Sequence, residues 1–279
     1  MSSLRLILKV RRAGLTLATT CICLCCLALP GAVRAQQSLS LRASLTPDLL
    51  DRETTIGFDF AISAPHGQVP SPLTGVALRY PGDVGLVVSG LGLDVCTPTT
   101  LRVLGPAGCP AEARMGTGSA TVEIPVGPVI VRESALIAVE RAETKNERFA
   151  LTFEAEGTSP IVAHLALPAL LLSAESPFGG SVAIEPPLVP SVPEAPNVSV
   201  VRLRAEIGPQ HLTYFRRQNG RLVPYTPRGV RLPKVCPSGG FPFTVAVNFL
   251  DGTHARARTT VPCPPPLQTK RRGSARTAG

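Results

Sequence analysis

The 279-residue chain predicts an all-β protein, an antiparallel β-sandwich with one short helix in a disulfide-closed loop. Three observations predict it. Side chains alternate apolar and polar with period two in segment after segment, the mark of antiparallel sheets with one wet face. Helical periodicity is nearly absent, with one good candidate at residues 97–105. Four cysteines remain once an apolar N-terminal segment is set aside, and that even number suits disulfides in an exported chain.

The N-terminal segment reads as a secretory signal peptide. Arg5, Lys9, Arg11 and Arg12 precede the apolar run from Leu15 to Leu29, and Val33 and Ala35 occupy the small-residue positions of a cleavage site. As a helix the run would span about 22 Å, short for a hydrocarbon core of about 30 Å. Cleavage is expected after Ala35, leaving a mature chain with no transmembrane segment. Cys21, Cys23, Cys25 and Cys26 leave with it, and Cys96, Cys109, Cys236 and Cys263 stay. Three pairings are open to four cysteines, and local closure, Cys96–Cys109 with Cys236–Cys263, is the simplest. Loops of these lengths would contribute about 3 and about 3–4 kcal/mol. Zinc would want closely spaced cysteine pairs, which are missing.

The body, residues 36–266, is read as one sandwich domain, immunoglobulin-like or jelly-roll-like, or as two lobes meeting near 186–197. In "TTIGFDFAIS" Ile56, Phe58, Phe60 and Ile62 share a face. In "RFALTFEAE" Phe149, Leu151 and Phe153 oppose Thr152, Glu154 and Glu156. "VRLRAEI" sets Val201, Leu203, Ala205 and Ile207 against Arg202, Arg204 and Glu206. Between Cys96 and Cys109, Thr97 can cap a helix, Pro98 fits its first turn and Gly105 can stop it. "GTGSA" and "FGGSV" read as glycine turns between strands. The proline cluster 185–198 suits a crossover rather than a central strand.

Two hairpins can be read to the residue. Asn219–Gly220 signals a two-residue type I′ turn, which sets Tyr214 opposite Tyr225. The same rule applied to Asp251–Gly252 would drive Arg256 and Arg258 onto the apolar face. A three-residue loop, Leu250–Asp251–Gly252 with Gly252 left-handed, instead pairs Val247 with Ala255 and Val245 with Ala257. His254, Arg256 and Arg258 then share the outer face of the final strand. Residues 267–279 form a basic tail with nothing apolar to bury, expected to be disordered.

The chemistry that the residues exclude is extensive. There is no G-x-S-x-G elbow, no H-E-x-x-H and no phosphate-binding G-x-x-x-x-G-K-[ST]. His66, His164, His211 and His254 are scattered, and His164 is expected at a surface or between sheets. Glu154 and Glu156 would stand about 7 Å apart on one strand face. That face reads as ordinary and wet, and a chain without tryptophan lacks the platforms that glycoside hydrolases use. No catalytic, cofactor or metal residues are expected. The formal charge of +9 belongs to the ends: five basic residues in the leader and four in the tail leave 19 basic against 19 acidic. A neutral body gives no reason to expect nucleic acid. One feature stands out as a possible anion-binding face: His254, Arg256 and Arg258, with Arg202 and Arg204 as a similar pair, since arginine forks suit phosphate and carboxylate.

"GCPAEARMGTG" with its preceding cysteine, "VPSVPEAPNVSVVRLRAEIGP" and "CPSGGFPFTVAVNFLDGTHARARTTVPC" span most of the mature chain. On these segments the chain resembles a group of uncharacterised exported β-rich proteins of high-GC actinobacteria. The resemblance implies export and sandwich architecture, and it implies no activity. The function expected is that of an exported, non-enzymatic structural or binding module of the cell envelope or extracellular space. Its partner would be an anionic envelope polymer or another envelope protein. The alternatives are a secreted hydrolase assembled from distant residues and a lipid carrier with its ligand between apolar sheets. Convergent Ser, His and carboxylate would mark the former, an apolar void the latter.

Overall fold

The computed structural model describes residues 37–86, 90–157, 163–190 and 196–264; the expectations for the leader and the tail lie outside them. Strands β1 (Ser38–Thr46) and β2 (Glu53–Ser63) form a hairpin, followed by β3 (Leu73–Pro81) and the two-residue β4 (Gly85–Leu86). Helix α1 (Pro98–Leu104) precedes a five-stranded meander: β5 (Arg114–Val126), β6 (Val129–Lys145), β7 (Arg148–Gly157), β8 (Ala163–Leu172) and β9 (Phe178–Ile184). After the proline-rich connector comes β10 (Ser199–Ile207). A separate ribbon, β11 (Tyr214–Gln218) and β12 (Arg221–Tyr225), the short β13 (Val230–Arg231) and the hairpin β14 (Phe241–Phe249) and β15 (His254–Val261) complete the order.

The main sheet is antiparallel and runs β15-β14-β3-β9-β8-β7-β6-β5-β10-β2, with β1 paired to β2. Strand β1 comes round to lie against β15, so the sheet nearly closes on itself. Gln37 clasps this seam: its amide donates to the Asp251 carboxylate (3.3 Å) and to Thr253 Oγ1 (3.2 Å) and accepts from Ser71 N–H (2.8 Å). The enclosed core includes Phe58, Phe60, Phe153, Phe243 and Val245, which is the face that the alternation predicts.

The all-β class, both disulfides and the helix within the first of them are as expected. Cys96 is bonded to Cys109 and Cys236 to Cys263. Thr97 caps α1 by accepting from Thr100 N–H at 3.1 Å, and Gly105 ends it with φ 65°. Both hairpin registers hold as well. Tyr214 faces Tyr225 across Asn219–Gly220, and Val247 faces Ala255 across a three-residue loop in which Gly252 has φ 81°.

Three local readings are corrected. "GTGSA" lies inside β5 and "FGGSV" spans the body of β9, so neither is a turn. The glycine at 118 lets two backbones approach: a Cβ there would sit 2.2 Å from the Arg204 carbonyl oxygen and 2.9 Å from Ala205 Cα. In β10 a bulge at Val201 breaks the ladder with β5, and Val200 rather than Val201 lines the interior beside Leu203. Thr152 and Glu154, expected on a wet face, are buried. The disulfide-closed loop stands over that part of the sheet, and its residues line one groove with both side chains.

Candidate functional site

Inside the ring of strands lies a cavity of about 150 Å³, walled by apolar side chains of β2, β3 and β5 through β10. A narrower void of about 60 Å³ shares Phe58, Leu78 and Val182 with it. The connector forms part of the lining through Pro186, Pro187, Leu188, Val189 and Val198. It is held there by the Val198 N–H to Val189 carbonyl bond (2.8 Å) and by Ser199 Oγ, which donates to the Pro70 carbonyl at 2.5 Å. Proline suits this crossover because it needs no sheet partner for its nitrogen.

One ionisable side chain is among the residues lining this cavity. Glu133 sits on the inward row of β6 between Val131 and Ala135, opposite Val122 of β5. It is 6% exposed, and its Oε1 has no hydrogen-bond partner. A buried carboxylate without a partner is costly, by several kcal/mol when charged. The sequence carries a signal for it: Val129, Val131, Glu133, Ala135, Ile137 and Val139 form an apolar stripe with one acid in it.

On the outer wall of the same strands the Cys96–Cys109 loop stands off from β6, β7 and β8 and leaves a groove of about 1130 Å³. The loop is anchored by Cys96 N–H to the Arg141 carbonyl (2.9 Å) and by Asp94 N–H to the Glu112 carbonyl (3.3 Å). The register places Glu156 opposite His164 and Glu154 opposite Ala138. Under the loop Glu140, fully buried, is paired with Arg114, and burial still holds its carboxyl above the usual range. Burial likewise raises Glu154, with His164 acting to lower it and Glu156 to raise it further. Arg114 is itself steadied through its backbone, whose carbonyl accepts from Tyr214 Oη at 2.5 Å; Gly92 N–H donates to the same hydroxyl at 3.0 Å. Burial pushes Tyr214 up to about 12. Among the described residues no group of three or more His, Cys, Asp and Glu is placed to hold a metal ion.

The arginine face is divided. His254, Arg256 and Arg258 alternate with buried Ala255 and half-buried Ala257 on β15, on the outer side. Arg202 and Arg204, however, belong to β10, which β2 and β1 separate from β15, and both are paired with Asp59. The Arg202 guanidinium, followed by Arg204, holds the Asp59 carboxyl below its usual range. Those two forks are already engaged with Asp59, whereas the row on β15 lies beyond two intervening strands.

No protein-family model matches the chain, and neither a curated protein nor a solved structure is detectably similar to it. Among the described residues no helix is long and apolar enough to cross a membrane.

Proposed function

We propose that the protein is an exported, non-catalytic binding module that holds a small, mostly apolar ligand inside its ring of strands. The single observation that carries this reading is the interior cavity with its lone, unpartnered Glu133. An apolar void of about this volume stays dry and accepts a benzene-sized guest. The carboxylate adds a requirement for a donor, so the ligand class is a single ring or short chain ending in an ammonium or hydroxyl group. Two disulfides suit a non-reducing compartment. The row His254, Arg256 and Arg258 is the surface on which such a module would meet an anionic envelope polymer.

Titration of the oxidised protein with benzylamine, toluene and benzoate, followed by calorimetry and by melting temperature, tests the reading. Benzylamine should bind and raise the melting temperature, toluene should bind about tenfold more weakly, and benzoate should not bind. Glu133→Gln should remove the preference for the amine, and Ala135→Leu, which fills the cavity, should remove binding altogether. Benzylamine binding that neither substitution changes would place the ligand elsewhere and overturn the proposal, as would no binding at all.

A further inference from the structure

The groove under the disulfide loop has the two features of a second site. Its walls are apolar and exposed: Leu104 of α1 is 63% exposed and Leu136 of β6 is 66% exposed, with Val103 and Pro168 beside them. Solvated leucines that line one groove gain when something covers them. Its floor is a carboxylate. Glu154 is 4% exposed, lines the groove, and its Oε2 has no hydrogen-bond partner.

Neighbouring charges decide what that carboxylate lacks. From β6, Glu140 is already paired with Arg114 of β5; from β7 itself, Glu156 repels; from β8, His164 attracts and is solvent-exposed. On the loop, Arg102 is the remaining cation among the lining residues. No described donor reaches Glu154 Oε2. A cationic donor from outside would supply the missing bond, and charge-assisted bonds of this kind are the strong ones.

Size decides the carrier of that cation. Pockets for single small molecules run to about 1000 Å³ at the upper end, and this groove, at about 1130 Å³, exceeds them. We propose that the groove binds an extended peptide segment of a partner protein, with a basic side chain reaching Glu154 and flanking apolar side chains resting on Leu104 and Leu136. The site is separate from the interior cavity and stands or falls independently of it.

The probe is a fluorescein-labelled pentapeptide, Ala-Leu-Arg-Leu-Ala, titrated against the oxidised protein by fluorescence anisotropy. Its control replaces arginine with citrulline, which keeps the shape and removes the charge. The arginine peptide should bind about tenfold or more tightly than the citrulline peptide, and Glu154→Gln should abolish that difference. Leu104→Asp, on an exposed position of α1, should weaken both peptides while the far-ultraviolet spectrum stays unchanged. Glu133→Gln should alter neither, which separates this site from the interior one. Equal binding of the two peptides, or a charge preference that survives Glu154→Gln, would overturn the proposal. So would octylammonium binding the groove more tightly than the arginine peptide does, since the occupant would then be a free amine.

Discussion

At the scale of single residues the molecule keeps acids where solvent does not help them. Glu154 and Glu140 have carboxyls raised by burial, whereas Asp59 is lowered by Arg202 and Arg204. The signs follow. A carboxyl raised in the folded state binds its proton more tightly there than in the unfolded chain. The contribution of such a group to stability is therefore greatest below the ordinary carboxylate range and falls as pH rises through the interval up to the raised value. Asp59 acts in the opposite sense: its contribution is present above the ordinary range and is lost as pH falls through its depressed value. Glu154→Gln should accordingly raise stability at neutral pH by about 1 kcal/mol, a few degrees in the melting temperature. The gain should shrink on acidification and vanish once Glu154 is protonated in both states. Urea unfolding at several pH values checks this, and a variant that is less stable than wild type at neutral pH would mean that Glu154 has a partner.

At the scale of elements, what was legible depended on whether the deciding contact lay nearby in the chain. The β14–β15 register was legible because the alternative buried two arginines, and the burial pattern outweighed the dipeptide rule. Val245 and Val247 are buried while Arg256 points outward. Val245→Ser should cost about 2–4 kcal/mol, for it loses packing and buries a hydroxyl. Arg256→Ser with Arg258→Ser should cost almost nothing in a denaturant titration, and should weaken salt-sensitive retention on anionic cell-wall fragments. Helix α1 was legible for the same reason, since its cap, its proline and its terminating glycine lie within nine residues. The burial of Glu154 was not, because the loop that stands over its face comes from about fifty residues earlier. Period-two alternation tells which side of a strand a residue occupies, and it is silent on whether that side faces water or another segment. Glu133 was hidden by the reverse effect: one acid in a greasy stripe changes the alternation too little to be noticed.

At the scale of the whole molecule the neighbours are remote in sequence. Asp59 and Arg204 meet across β2 and β10, 145 residues apart, and no local pattern announces such a pairing. The joint between β5 and β10 depends on Gly118, where any larger residue would meet the Arg204 backbone. Gly118→Val should destabilise the protein by about 3 kcal/mol or more, because a backbone carbonyl cannot step aside as a flexible side chain can. Far-ultraviolet spectra and a denaturant titration would show it, and a wild-type midpoint would mean that the two strands do not approach so closely. The seam clasped by Gln37 has a further consequence, for the order in which a growing chain can assemble. Strand β1 is the first of the described strands to leave the ribosome, and β15, which completes its far side, is the last. The meander from β5 to β9 can form while translation continues, but β2 must wait for β10 and β1 must wait for β15. The ring thus has no closed intermediate during synthesis, and the nascent chain stays open until the final hairpin has emerged.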